Sequence, residues 1–180
     1  MPSGTKPSWP KGSNSYGMIR GMNIPGRLQK ILFVCHGNIC RSPMAEFVMK
    51  DLLAKAGISD VSVESAALRT DEIGNGIHHG TRSVLVKYGI PFTPRAAWQI
   101  TAAKASEYDI IIGMDAYNMA DLKRLVFPED MPKVCKMLEL TGSTRDVADP
   151  WYTGDFEMTY ADVLAGCKVL LESILKSRVG

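Results

Sequence analysis

Residues 31–35, ILFVC, form a short uninterrupted apolar run, the pattern of a central parallel strand buried on both faces. A polar stretch, HGNICRS, follows it. Met44, Phe47, Val48 and Leu52 then fall on one face of a helix. Ser42 suits the cap of that helix, Pro43 its first position and Gly57 its end. Residues 61–65, VSVES, alternate as a second strand. After a polar loop through Gly76, a helix is predicted over 82–88, ended by Gly89 and Pro91. Residues 109–113, DIIIG, read as a third buried strand, 116–126 as a helix and 134–137 as a weaker fourth strand. A loop with ADPWYTGDF precedes a long last helix. Its apolar stripe runs through Phe156, Tyr160, Val163, Leu164, Cys167, Leu170, Leu171, Ile174 and Leu175. Strands alternating with helices predict an α/β fold, a three-layer sandwich with a four-stranded parallel sheet and helices on both faces.

The opening 27 residues carry no such pattern. They are rich in Pro, Gly and Ser and cannot bury enough apolar surface to offset their ordering entropy. Residues 1–27 are therefore expected to be a flexible tail, and 28–180 the folded domain; Trp9, Tyr16 and Met18 could alternatively dock on the domain or on a partner. A domain of about 150 residues buries about 70% of its unfolded surface, so no metal or disulfide staple is required.

Charge removes further classes. The 21 basic and 19 acidic residues leave a net charge of +2, without the basic excess that nucleic-acid binding needs. No apolar run approaches the length of a membrane span, and the first thirty residues lack the core of a secretory signal. Four cysteines (Cys35, Cys40, Cys135, Cys167) are too few for a disulfide scaffold. The expectation is a cytoplasmic protein, monomeric rather than a stable oligomer, with no nucleic acid or membrane as partner.

The segment that carries chemistry is Cys35-His36-Gly37-Asn38-Ile39-Cys40-Arg41-Ser42. It leaves the carboxyl end of the first strand and enters a helix start, where α/β folds place ligands. Consecutive backbone N–H groups in such a loop form an anion nest, and the helix start adds further donors. Gly37 is free to take angles closed to other residues, and Asn38 tolerates a left-handed conformation. The Arg41 fork matches two oxygens of a phosphate. The residues thus read as a phosphate-binding loop after the first strand, with Cys35 at its floor. Nest, helix dipole and Arg41 favour a thiolate there, an in-line nucleophile toward a phosphate monoester. The Ser42 hydroxyl is placed to hydrogen-bond that sulfur.

VCHGNICRSPMAE, residues 34–46, resembles the signature of the low-molecular-weight protein tyrosine phosphatases. The resemblance runs from about Leu28 to the C-terminus. It includes SAA from Ser65, EIGN from Glu72, MDAYN from Met114, and Asp149-Pro150-Trp151-Tyr152. It implies Cys35 as nucleophile, Arg41 with the amides of residues 36–42 as the phosphate cradle, and Asp149 as general acid and base. Trp151 and Tyr152 would wall the cleft on one side. Asn38, Ser42, Ser65 and Asp115 would support the loop, and Cys40 would capture oxidised Cys35 as a reversible disulfide. The implied substrate is a phosphotyrosine protein or peptide, which a tyrosine kinase as partner would supply, with inorganic phosphate as product. No cofactor and no metal are implied.

Blander readings stand beside these. Asp149-Pro150 could be an ordinary turn, Trp151 and Tyr152 could cover the core, and Cys40 could be a buried apolar residue like Cys135 and Cys167. His36, His78 and His79 read as solvated rather than as metal ligands. Two departures from the family pattern matter. Asp71 stands where many relatives carry an aromatic residue, so the second wall of the cleft is expected to be acidic. Relatives also often place a loop-supporting histidine near 92–97, where this chain has Thr93, Pro94 and Arg95. A thiol-dependent arsenate reductase would need further closely spaced cysteines, and protein-arginine phosphatases tend to carry Thr at the position of Ile39. A catalytically silent phosphate binder would have a damaged nucleophile, arginine or acid, and here all three are intact.

Overall fold

The computed structural model describes residues 17–19, 22–24 and 27–179. Two short strands, β1 (Gly17–Ile19) and β2 (Met22–Ile24), pair antiparallel, and β1 lies against the last helix. This hairpin falls inside the stretch expected to be a tail. Arg27, the last residue of that stretch, is also described, whereas Trp9 and Tyr16 lie outside the described residues.

The domain follows as β3 (Lys30–Cys35), α1 (Arg41–Lys55), β4 (Ser62–Ala67), α2 (His79–Lys87), α3 (Ala102–Ala105), β5 (Ile110–Gly113), α4 (Ala116–Leu125), β6 (Val134–Lys136), α5 (Pro150–Thr153) and α6 (Phe156–Ser177). The four strands β4-β3-β5-β6 form one parallel sheet, with Phe33 opposite both Ser65 and Ile112. Strand alternation divides the core between the two faces. Ile31, Phe33 and Cys35 pack with residues of α1, α2 and α6, whereas Leu32 and Val34 pack with Ile111, Leu122 and Val126 on the other face. The three-layer sandwich expected from the sequence is the fold. Each fully buried aliphatic or aromatic side chain contributes about 1.5–3 kcal/mol, so this double-sided layer around β3 is the main source of stability.

The strand order has a functional consequence. From β3 the chain crosses to β4 on one side, then returns past β3 to β5 on the other. The carboxyl ends of β3 and β5 therefore flank the point where strand order reverses, the crevice in which open α/β sheets hold their ligands. At the opposite end of the sheet, Asp60 binds Arg27 (2.9 Å) and Arg178 together, so one carboxylate joins the two ends of the domain.

Local details depart from the sequence reading. Helix α1 starts at Arg41 with Cys40 as its cap residue; Ser42 is already helical and its side chain caps nothing. The hydroxyl bonds to Cys35 and Asn38 instead, which leaves the first-turn N–H groups available to an anion. Helix α2 begins three residues before the predicted start because the His78 ring accepts the Gly80 N–H at 3.0 Å and caps it. Neither α3 nor the four-residue α5 carries enough periodicity to be predicted. No helix among the described residues is long and apolar enough to cross a membrane.

Candidate active site

The loop between β3 and α1 wraps around the Cys35 sulfur. Cys35 is 3% exposed; its Sγ lies 3.0 Å from Ser42 Oγ and accepts the Asn38 backbone N–H at 3.3 Å. Aiming that N–H inward requires Asn38 to sit at φ +61°, the only positive φ of a non-glycine among the described residues. Such a conformation costs an L-residue about 1–2 kcal/mol and has to be held by its surroundings. Asn38 Nδ2 donates to Ser42 Oγ (2.8 Å) and Ser65 Oγ (3.0 Å), and Ser65 in turn donates to the Glu46 carboxylate at 2.6 Å. Because a carboxylate only accepts, Ser65 donates its hydroxyl to Glu46 and accepts from Asn38; Ser42 likewise accepts from Asn38, so its hydroxyl proton is free for the sulfur. Asn38, Ser42 and Ser65 are thus brought together around Cys35.

Gly37 does not use left-handed angles. A side chain there would come within 2.9 Å of Glu72 Cγ, so close approach of the cleft wall is what requires glycine. The Ile39 carbonyl accepts the His78 N–H at 2.9 Å, and the Cys40 carbonyl accepts the Thr81 hydroxyl at 3.0 Å. These contacts tie the loop to α2.

Arg41 is 2% exposed. Its Nη1 donates to Asp115 Oδ2 (2.6 Å) and to the Val147 carbonyl (2.9 Å), and its Nη2 reaches Asp149 Oδ2 at 3.3 Å. Burial pulls its pKa down, but the negative charges of Cys35, Asp149 and Asp115 outweigh that effect and raise it. Asp115 caps α4 through the Asn118 N–H and so stands at the end of β5, while Asp149 caps α5 through the Trp151 N–H. Three elements distant in sequence therefore meet on one guanidinium.

Above this floor opens a cleft of about 770 Å³, lined by His36, Gly37, Ile39, Cys40, Arg41 and Asp149 among others. One wall carries Trp151 and Tyr152, joined by Tyr117 at the start of α4; all three aromatic rings are largely exposed. Asp71 and Glu72 line the other side, where Asp71 Oδ2 lies 2.5 Å from His36 Nε2. That hydrogen bond holds the Asp71 pKa below the ordinary carboxylate range. Of the other histidines, His79 is exposed, and His78 stacks between His79 and Phe156 with its edge toward Trp151. Burial, then His79 and Arg82, lower the His78 pKa. Cys40 is also buried; burial first, then Cys35 and Asp149, push its pKa up to about 12. No group of three His, Cys, Asp or Glu side chains able to hold a metal occurs among the described residues.

The sequence reading misses one residue, Glu46, and leaves a second undecided among three. Glu46 has no local signal beyond its place in the PMAE tetrad. Arg95 was one of three residues considered at 93–95, and it is the one that meets the loop, donating Nη1 to the Asn38 carbonyl at 2.6 Å and Nη2 to Asn38 Oδ1.

Comparison with known proteins agrees with this architecture. Residues 30–179 match the family described as low molecular weight phosphotyrosine protein phosphatase. The chain is 38% identical over 151 residues to low molecular weight protein-tyrosine-phosphatase YfkJ of Bacillus subtilis, covering 82% of this chain and 97% of that protein. The crystal structure of YfkJ superposes with a TM-score of 0.78 at 39% identity, over 83% of this chain and 96% of the other. The structure of SP-PTP, a low molecular weight protein tyrosine phosphatase from Streptococcus pyogenes, gives a TM-score of 0.71 at 42% identity, over 81% and 92%. With sequence and fold in agreement over nearly the whole domain, the chain belongs to the low molecular weight phosphotyrosine protein phosphatase family.

Proposed function

We propose that the protein hydrolyses phosphotyrosine monoesters in proteins or peptides through a phosphocysteine intermediate, without a metal or cofactor. The observation that carries this reading is the Cys35 sulfur, held by the Asn38 N–H and Ser42 beside a buried arginine that bridges two carboxylates. Cys35 Sγ attacks phosphorus in line while the bond to the phenolic oxygen breaks. Arg41 and the loop N–H groups hold the equatorial oxygens as charge spreads over them. Asp149 delivers its proton to the departing phenolate. In the second step Asp149 takes a proton from water, the resulting oxygen bonds to phosphorus, and the S–P bond breaks to release inorganic phosphate and the Cys35 thiolate. Asp115 orients Arg41, while Trp151 and Tyr152 stack on the substrate ring and Asp71 faces them.

Cys40 has a separate role in this reading. Kept as a thiol, it does not compete as nucleophile. When peroxide converts Cys35 to a sulfenic acid, the Cys40 sulfur displaces water from it and forms the Cys35–Cys40 disulfide, which a thiol reductant reverses.

The test is p-nitrophenyl phosphate hydrolysis near pH 6 in EDTA, comparing wild type with Cys35→Ser and Asp149→Ala. Wild type is expected to turn over, Cys35→Ser to be inactive, and Asp149→Ala to lose about 10²- to 10⁴-fold while still binding vanadate. Abolition of wild-type activity by EDTA would overturn the mechanism.

A further inference from the structure

Every polar group of Asn38 has a partner, and the accounting leads to Arg95. The backbone N–H goes to Cys35 Sγ, and the side-chain NH₂ goes to Ser42 and Ser65. That leaves two oxygens, the main-chain carbonyl and Oδ1, on a residue that is completely buried. Unpaired, each would bear the desolvation cost of a buried acceptor without a partner. Both are taken by one side chain, Arg95 Nη1 on the carbonyl and Nη2 on Oδ1. The segment that presents Arg95 is fixed from behind by two backbone bonds, Ala97 N–H to the Asn75 carbonyl and Gly74 N–H to the Ala97 carbonyl.

The chemistry of this contact is specific to a guanidinium. Its two terminal nitrogens are coplanar donors at fixed spacing, so they grip two oxygens of one residue and fix the torsions between them. An ammonium is a point charge, and a neutral imidazole has a single N–H. Arg95 is partly buried; burial lowers its pKa, and the negative charges of Glu46 and Cys35 act in the opposite direction. It retains its charge at any working pH.

We propose that Arg95 is a positioning residue for the reaction: its fork clamps Asn38 in the left-handed conformation that turns the loop N–H groups toward phosphate. The proposal rests on the phosphatase reading above. Arg95 touches neither substrate nor phosphorus; it acts through Asn38.

The experiment compares wild type with Arg95→Met, Arg95→Lys and Arg95→His in p-nitrophenyl phosphate hydrolysis from pH 5 to 8 and in competitive inhibition by vanadate. Near-UV circular dichroism reports the fold. Misaligned loop donors lower kcat/KM about 100-fold in Arg95→Met. They also weaken vanadate inhibition about tenfold, and Arg95→Lys recovers part of both losses. In Arg95→His the imidazolium has two N–H groups and the neutral ring one. With Glu46 and Cys35 the charged groups facing it, its kcat/KM relative to wild type falls as pH rises through about 6.5. Should Arg95→Met fail to fold, the Lys and His variants carry the test. A variant-to-wild-type ratio that stays flat with pH in Arg95→His, or kcat/KM and vanadate inhibition within twofold of wild type in the neutral variant, overturns the clamp. Inactivity of the wild type would instead overturn the phosphatase reading.

Discussion

Ser42 Oγ stands 3.0 Å from Cys35 Sγ and at the same time accepts Asn38 Nδ2 at 2.8 Å, which leaves its own proton free to donate to a Cys35 thiolate. A hydrogen bond to a charged partner is worth about 1.5–3 kcal/mol, or roughly ten- to a hundredfold in rate. In the proposed two-step mechanism the sulfur carries most charge as it leaves phosphorus in the second step. Ser42→Ala is therefore expected to slow dephosphorylation more than attack. Stopped-flow mixing with p-nitrophenyl phosphate should show a burst of p-nitrophenol stoichiometric with enzyme, followed by a kcat reduced by that factor. A linear time course without a burst would place the Ser42 effect elsewhere.

Tyr117, Trp151 and Tyr152 are 83%, 58% and 85% exposed around one cleft. Tyr117 lies on α4, apart from residues 149–152, and on the proposed phosphatase reading it would meet residues flanking the phosphotyrosine. Tyr117→Ala should raise KM for phosphotyrosyl peptides about three- to tenfold, the range of one aromatic contact. Turnover of p-nitrophenyl phosphate, which has no flanking residues, should be unchanged. Equal effects on both substrates would assign Tyr117 to the loop instead.

With its pKa pushed up to about 12, Cys40 remains a thiol at neutral pH, and complete burial raises the pKa values of Cys135 and Cys167 as well. Iodoacetamide at pH 7 should then label Cys35 alone in the folded protein, as peptide mass spectrometry would read. After mild peroxide, dithiothreitol should restore wild-type activity but not that of Cys40→Ser. Equal recovery would remove Cys40 from the proposed redox role.

Hydrogen bonds from Arg27 and then Arg178 lower the Asp60 pKa to about 2. A carboxylate whose folded pKa is depressed adds stability above its unfolded pKa, and that stability is lost as pH falls through the folded value. Wild type should therefore melt above Asp60→Asn at pH 7, with the difference shrinking between about pH 4 and pH 2. Thermal melts across that range check it; a difference independent of pH would mean that the amide fails for another reason.

The sequence was most informative where chemistry and local pattern coincide. An apolar run ending in Cys35, a glycine, an asparagine and an arginine at a helix start define the loop without any long-range information. Ser42 carries two sequence readings, helix cap and partner of the Cys35 sulfur, that compete for one hydroxyl, and only the fold shows that the sulfur has it. Arg95 lies 57 residues from Asn38 on a segment without periodicity, so nothing in its neighbours singles it out from Thr93 or Pro94. Asp149 illustrates a middle case. The Asp-Pro pair predicts a turn; in the fold Asp149 is the cap and Pro150 the first residue of a helix too short to have a stripe of its own.

Asp60 has one more implication. Arg27, just before β3, and Arg178, just after α6, share its carboxylate at the end of the sheet remote from the cleft. The domain's two ends are neighbours there, so a short linker could join them and the chain could be reopened in a surface loop elsewhere. A circular permutant opened between α4 and β6 would keep β3, its loop and α1 contiguous, with the new ends away from Cys35.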